Sequence, residues 1–423
     1  MGLARSGLAA ARMLTVRGEE VVGVDAGSPV VNLPMLETHL GADGVELLVE
    51  RGICTVVKSP GVPNDAPVVV AAREQGIEVV GELELAWRLL PNRFVAVTGT
   101  NGKTTTVELL GAIWRAAELP VAVAGNVGTP LSSLVGLLDP GTTVICEASS
   151  FQLEDSSAFA PEVAVLLNVE EDHLDRHGDL ASYRAAKERI FANQRPEDWA
   201  VAPPDLVPAG AGSWVGFGDG ADAEVEDGWI AFRGERLLPV ADLRIRGAHN
   251  LDNALAATAA ALAGGDVPPG AVAQALRSFP GVEHRLEEVA TVAGVLYVND
   301  SKATNPASAL RGLQPFEGGV HAILGGSLKG GDFTALRGEV GARCRACYLI
   351  GEAADRLAAD LDGTVPLCRS GTLERAVADA RAATEPGDVV LLSPACASFD
   401  AFANYEQRGA RFKDIVAGLE REE

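Results

Sequence analysis

Lys103 follows the turn Gly99-Thr100-Asn101-Gly102 and precedes Thr104, Thr105 and Thr106. One ammonium and three hydroxyls are thus delivered directly after a glycine-rich turn. Peptide N–H groups in such a turn, and the positive end of the helix that follows, face an anion. The lysine adds a point charge near the outer phosphates of a nucleotide, and the first threonine hydroxyl can hold Mg2+. The apolar run Phe94–Val97 leads into the turn, and Leu109, Leu110, Ile113, Trp114 and Ala117 share one helical face after it. That is the strand–loop–helix order of a phosphate-binding loop. The form is shortened: the full pattern has Gly five residues before Gly102, where this chain has Val97.

Two further apolar runs end in groups that suit phosphate chemistry. One ends at Glu147; the other, which starts at Val163, releases Glu170, Glu171, Asp172 and His173. Ligands of open α/β sheets sit at the carboxyl ends of strands. Glu147 and His173 can therefore reach the rim of the loop, and a carboxylate with an imidazole there suits Mg2+ beside phosphates. His177 reads as a solvated loop residue, and His173-x-x-x-His177 lacks the Glu of a zinc-protease motif. His249, Asn250 and Asn253 open a small-residue helix, where they either cap it or meet a nucleotide.

The elements that must position these groups alternate in type. Residues 2–25 read as a glycine turn, a helix from Leu8 to Val16 ended by Gly18, and a strand Val21–Val24 ending in Asp25. This is a nucleotide-binding βαβ pattern whose first strand is missing. A start upstream of Met1, adding about 5–8 residues, is the expectation. Strands Thr55–Lys58 and Glu78–Val80 flank a helix over 68–76, and Pro91-Asn92 marks a boundary. An amphipathic helix over 182–194 carries Lys187, and 195–245 is rich in Pro, Gly and Asp with short strands such as Trp229–Phe232. Residues 280–287 mark a second boundary. Beyond it four strands, Val295–Asn299, His321–Leu324, Cys347–Ile350 and Val389–Leu392, each end in a polar or glycine-rich loop. The expected fold is α/β in three domains: Rossmann-like over 1–91, central P-loop ATPase-like over 92–281, and doubly wound over 282–423.

The 423 residues are 47% hydrophobic with mean hydropathy +0.14, and 35 basic against 58 acidic residues give a net charge of −23. Such a chain repels nucleic acid and anionic membranes, so its phosphates must be bound by local loops and metal. No apolar run reaches the length of a membrane span, and Arg5 and Arg12 interrupt any signal-peptide core. A cytoplasmic monomer is expected. The six cysteines are scattered, and Cys344-x-x-Cys347 has no second pair for zinc.

Taken in order, GTNGKTTT (99–106), the later carboxylate, DH (172–173), HN (249–250), HR (284–285) and DSKATN (300–305) resemble the Mur ligases, ATP-dependent amino-acid ligases of peptidoglycan synthesis. SSFQLE (149–154), NVEEDHLDRHG (168–178) and SPACASFDAFANYEQRG (393–409) look like the branch that adds D-glutamate to UDP-N-acetylmuramoyl-L-alanine. The resemblance implies that the first domain holds the UDP part, the second ATP and Mg2+, and the third closes with the amino acid. It implies ATP contacts at Gly99, Thr100, Asn101, Gly102, Lys103, Thr104, Thr105, Asn253, Arg285, Asp300 and Lys302. Two Mg2+ ions would be held by Thr104, Glu147, His173 and Lys187, the last carried as a carbamate. Arg5, Ser6, Asp25, Asn126, Ser149 and Gln152 match the UDP-substrate side, and Thr304, Lys329, Ser398 and Tyr405 the D-glutamate pocket. ATP would phosphorylate the substrate carboxylate, and the amine would then displace phosphate from the acyl phosphate, with Lys103, Glu147, His173 and Lys187 as the catalytic set. The first turn, LARSG, and Ala26-Gly27 after Asp25 depart from the family pattern. A sibling ligase for another amino acid, a folate-polyglutamylating relative, and a dinucleotide-dependent oxidoreductase on the first βαβ are the competing readings.

Overall fold

The computed structural model describes residues 1–34, 36–245, 247–328 and 332–421, apart from the Asp175 side chain. It forms two compact units, Met1–Leu243 with His249–Phe279, and Arg244–Ala248 with Pro280–Glu423.

The first unit opens with four short strands, β1 (Val22–Asp25), β2 (Glu37–Leu40), β3 (Thr55–Lys58) and β4 (Glu78–Gly81). They form two parallel pairs, β1 with β2 and β3 with β4. Residues 1 and 2 bridge the pairs themselves: the Met1 amine donates to the Val57 carbonyl at 2.8 Å. The Gly2 N–H reaches Val24 O at 2.8 Å, and the Ser59 N–H reaches Met1 O at 3.0 Å. Burial lowers the Met1 amine to about 6, with Asp25 opposing. Asp25 closes the turn by accepting from the Leu3 N–H at 2.6 Å and the Gly27 N–H at 2.8 Å.

A further sheet of this unit has six parallel strands, β5 (Phe94–Thr98), β6 (Val121–Gly125), β7 (Thr143–Glu147), β8 (Val163–Leu166), β9 (Trp199–Ala202) and β10 (Ser213–Gly216). Their order is β10-β9-β8-β5-β7-β6. Both faces are covered, so β5, β7 and β8 read as unbroken apolar runs rather than alternating ones. The chain winds one way from β5 through β6 and β7, and the other way through β8 to β10. The reversal places the carboxyl ends of β5, β7 and β8 side by side, the position where such sheets bind ligands. A three-stranded meander follows, β11 (Ala223–Glu226), β12 (Trp229–Phe232) and β13 (Glu235–Pro239).

One buried carboxylate stitches the first part of this unit to the second. Glu84, on the helix Glu82–Leu89, is fully buried. It accepts from the N–H groups of Ser157, Ala158 and Phe159 at 3.2, 3.1 and 2.9 Å, and from Arg88 Nε at 2.9 Å. A second tie is the buried Lys58–Asp155 ion pair at 2.8 Å. Removing the Glu84 carboxylate takes the acceptor from three backbone N–H groups, the buried Phe159 N–H among them, and from Arg88. Glu84→Ala is therefore expected to lower stability by about 3 kcal/mol in urea unfolding, and a loss under about 1 kcal/mol contradicts this account.

The second unit carries β14 (Glu287–Val292), β15 (Val295–Asn299), β16 (Val320–Gly325), β17 (Cys344–Ile350), β18 (Leu367–Gly371) and β19 (Val389–Leu392), in the order β14-β15-β19-β16-β17-β18. All pairs are parallel except the β14–β15 hairpin, which turns through Ala293 and Gly294 at φ 50° and 79°. Sequence reading expects four strands here; β14 and β18 are additional. Leu313, Leu324 and Phe333 fill one face of the sheet, and Tyr297, Ile350 and Phe412 fill the other. The chain is thus an α/β protein of more than one unit. No helix among the described residues is long and apolar enough to cross a membrane.

Candidate active site

The turn after β5 is held open by geometry that only glycine permits. Gly99 has φ 155° and Gly102 φ 85°, and the helix Lys103–Ala116 begins directly after. A Cβ on Gly102 would lie 2.1 Å from Asn253 Oδ1, and one on Gly99 2.9 Å from Leu167 Cβ. The first distance also sets Asn253, in the helix Ala248–Ala263, against the loop. The segment after β8 fixes the loop from the other side. Asn168 Oδ1 accepts from the Asn101 N–H at 2.9 Å, Glu170 Oε2 from Asn101 Nδ2 at 2.8 Å, and Thr100 Oγ1 from the Glu170 N–H at 3.0 Å.

Two ammonium groups converge on one carbonyl. Lys103 Nζ donates to Gly99 O at 2.8 Å and Thr100 O at 2.9 Å, and Lys187 Nζ donates to Gly99 O at 2.8 Å. Burial, and secondarily the Lys103 charge, lower the Lys187 amine to about 7. Its Nζ also lies 4.3 Å from the Tyr183 ring centre. On the β7 side, Glu147 is buried; its Oε2 accepts from Thr104 Oγ1 at 2.8 Å and its Oε1 from Asn126 Nδ2 at 3.0 Å. Thr105 is buried in the first helical turn, and the Thr98 and Thr106 hydroxyls have no hydrogen-bond partner among the described residues.

His173 is not hydrogen-bonded into this group. Its side chain is 48% exposed, with Nε2 3.6 Å from Asp172 Oδ2. Its backbone sits in the left-handed region at φ 52°, strain that residues at working sites often carry. An aromatic set unseen in the sequence backs it. Phe151 lies 4.9 Å from the His173 ring and 5.4 Å from that of His177, and His177 lies 5.1 Å from Tyr183. His177 Nε2 pairs with Ser150 Oγ at 3.1 Å, so this residue is packed rather than solvated as the sequence led one to expect. No local signal marks these contacts: Phe151 and His177 lie 26 positions apart in the chain.

The residues matched to the UDP-substrate side lie on several elements of the first unit. Ser149 and Gln152 form the capping box of the helix Ser150–Glu154, with the Ser149 N–H on Gln152 Oε1 at 3.0 Å. Ser6 lies in the first turn of the helix Arg5–Val16, and the Arg5 guanidinium donates to Gly128 O.

In the second unit Arg285 is flanked by two strained residues, His284 at φ 63° and Leu286 at φ 45°. Its Nε is buried without a hydrogen-bond partner among the described residues, an orphan donor that suits an anionic ligand. Glu287 steadies the segment by accepting from the His284 N–H at 2.9 Å and from Lys413 Nζ at 2.9 Å. Asp300 follows β15 and accepts from Ser393 Oγ at 2.8 Å. Lys302 Nζ lies 5.8 Å from the Tyr405 ring, and the Thr304 N–H reaches Lys302 O at 2.9 Å. Ser398 is buried in the loop after β19. Lys329 lies outside the described residues.

Burial raises the Asp300 carboxyl from 3.8 to about 7, against the opposing pull of Ser393 and Arg285. A carboxyl whose native value is raised contributes stability that is full below its unfolded value and lost as pH rises through the native one. Relative to Asp300→Asn, the ligand-free wild type should therefore lose stability between about pH 4 and about pH 7. Urea unfolding across that range checks this, and parallel profiles contradict it.

Comparison with known proteins adds to this geometry. The model of the Mur ligase middle domain matches residues 97–261, and that of the Mur ligase glutamate ligase domain matches residues 284–396. A UDP-N-acetylmuramoylalanine–D-glutamate ligase of Acidobacterium capsulatum is 45% identical, over 98% of this chain and 95% of its own length. A protein of the same name from Koribacter versatilis is 41% identical, over 100% of this chain and 97% of its own. Among solved structures, the MurF ligase of Thermotoga maritima in complex with ADP shares the fold at TM-score 0.60 and 20% identity, covering 96% of this chain and 91% of its own. The loop, its two lysines and the carboxylate beside Thr104 all fall inside the middle-domain match, and full-length relatives exceed 40% identity: the chain belongs to the Mur ligase family.

Proposed function

We propose that this protein joins D-glutamate to UDP-N-acetylmuramoyl-L-alanine at the expense of ATP. The observation that carries the reading is the pairing of a glycine loop bearing Lys103 and Thr104 with the buried Glu147, on a chain whose full-length relatives carry that name. In this reading residues 1–91 are a Rossmann-like domain for the UDP part, 92–281 a P-loop domain for ATP, and 282–423 a domain for the amino acid.

The loop N–H groups and the start of the helix at Lys103 hold the phosphates. Lys103 leaves the Gly99 and Thr100 carbonyls for the outer phosphates and offsets charge as the γ-phosphoryl moves to the L-alanine carboxylate. The orphan donor of Arg285 suits an anionic oxygen, and the amine of D-glutamate displaces phosphate from the acyl phosphate. The donors at the loop fit Mg2+: a hydroxyl and a carboxylate oxygen 2.8 Å apart at Thr104 and Glu147, with a lysine poised near neutrality. His173 would complete that set, and Lys187 would do so as a carbamate. The bound ions would neutralise the crowded phosphate oxygens. Asn126 orients Glu147, whatever contact it makes to substrate. Thr304, Lys329, Ser398 and Tyr405 form the D-glutamate pocket, and Arg5, Ser6, Asp25, Ser149 and Gln152 serve the nucleotide-sugar.

The test is Mg-ATP-dependent phosphate release with UDP-N-acetylmuramoyl-L-alanine and a panel of amino acids. Release is expected with D-glutamate and not with L-glutamate, L-lysine or diaminopimelate. Release with one of the others would assign the chain to a sibling activity, and release with none would remove the assignment.

A further inference from the structure

Arg408 is an arginine sealed from solvent with no acid to match it. It lies one turn into the helix Tyr405–Glu420 and is 1% exposed. Its Nε donates to Ser301 Oγ at 3.0 Å and its Nη2 to Ser301 O at 2.8 Å. Nη1 and Nη2 both reach Cys396 O at 3.2 Å, and Nη1 reaches Ala397 O at 3.3 Å. All of its partners are neutral, and among the described residues no carboxylate forms an ion pair with it. Asp400 is within electrostatic reach. Its carboxylate is engaged elsewhere, accepting from Ser327 Oγ at 3.4 Å and the Glu352 N–H at 3.3 Å.

Burying a charge without a partner is costly, and a plain structural staple could have been neutral. The fork joins two loops at once. Ser301 precedes Lys302 and Thr304, and its hydroxyl donates to Tyr405 O at 2.8 Å. Cys396 and Ala397 precede Ser398, and Ala395 ahead of them is held at φ 59°. Every described residue matched to the D-glutamate pocket is thus within three positions of an Arg408 partner, or is one turn away from Arg408 itself. A desolvated cation behind such a pocket is poorly screened and favours anions in it.

We propose that Arg408 is a positioning residue for the amino-acid pocket, and that its unpaired charge selects a substrate bearing two carboxylates over one bearing a single carboxylate. The proposal rests on the D-glutamate reading of this pocket. D-Glutamine, which keeps the shape and loses one charge, is the natural comparison.

The experiment is steady-state kinetics of the full chain and of R408K and R408M, with D-glutamate, D-glutamine and ATP varied in turn. R408M is expected to raise KM for D-glutamate by about tenfold or more and to cut the preference over D-glutamine by a similar factor, with KM for ATP within about twofold of wild type. R408K keeps the charge but not the fork, so it should lower kcat while retaining most of the preference. If R408M fails to fold, R408K still decides: a preference lost despite the retained charge overturns the proposal. An R408M preference unchanged within about threefold, or a parallel rise in KM for ATP and D-glutamate, also overturns it. A wild type that prefers D-glutamate while R408M does too sinks the charge claim alone; a wild type without that preference sinks the reading of the pocket with it.

Discussion

Lys103→Ala is expected to reduce D-glutamate-dependent phosphate release by about a thousandfold or more, while the nucleotide-sugar substrate still binds. The size follows from the task. Phosphoryl transfer asks the protein for position and positive charge, and this chain, at net −23, must supply the charge locally. The selectivity follows from how the loop is held. Its shape depends on the left-handed Gly102, on Asn168 and on Glu170, none of which needs the lysine side chain. Lys103 Nζ rests on the Gly99 and Thr100 carbonyls, and Lys187 remains on Gly99 O when it is gone. The variant should therefore unfold at nearly the wild-type temperature and bind UDP-N-acetylmuramoyl-L-alanine with nearly the wild-type Kd by calorimetry. Turnover within tenfold of wild type would defeat the phosphate-loop reading, and loss of nucleotide-sugar binding would mean that the side chain supports the fold instead.

What could be read from the sequence, and what could not, divides on chain separation. The strands of the two large sheets were legible because a strand covered on both faces is a plain apolar run, and Phe94–Thr98, Val295–Asn299 and Val389–Leu392 all have that form, each with a glycine near one end. β14 was not, because its run Glu287–Val292 is half exposed and polar, and reads as a linker after Pro280. β18 was missed for the same reason: LCRSG carries little apolar signal. The helix Ala248–Ala263 starts two residues before Asn250, so Asn250 lies within its first turn and not ahead of it as a cap.

At the site, residues that act through sequence neighbours were visible, and those that act across the fold were not. The loop, Glu147 and Asp300 each sit where a strand ends, which patterning alone can place. Asn126 gripping Glu147, Glu170 gripping Asn101, and the stack of Phe151 on His177 depend on which strands lie side by side. Arg408 was hardest to see, since an arginine on a C-terminal amphipathic helix is ordinarily a solvated residue. The left-handed His173, His284, Leu286 and Ala395 could not be anticipated from residue type either, and all four adjoin groups implicated in the chemistry.

Glu147→Gln should separate activity from stability in opposite directions. Glu147 ends β7 at 2% exposure, and among the described residues no lysine, arginine or histidine pairs with it. Its two oxygens are met by neutral donors, Thr104 Oγ1 and Asn126 Nδ2. A buried carboxylate satisfied only by neutral donors is a local cost to the ligand-free fold. Glutamine is close to isosteric. Its carbonyl can keep the Asn126 contact, and its amide can donate to the Thr104 hydroxyl, which accepts as readily as it donates. The hydrogen bonds survive and the charge disappears. Ligand-free Glu147→Gln should then be as stable as wild type or more so, by up to about 1 kcal/mol in urea unfolding. Its phosphate release should fall by about a thousandfold, because the charge is what a cation beside the phosphates would meet. A variant that keeps activity within tenfold would make Glu147 a framework residue of β7. One that loses about 2 kcal/mol or more would show that the carboxylate is there to hold Thr104 and Asn126, and that its place beside the loop is a consequence of packing.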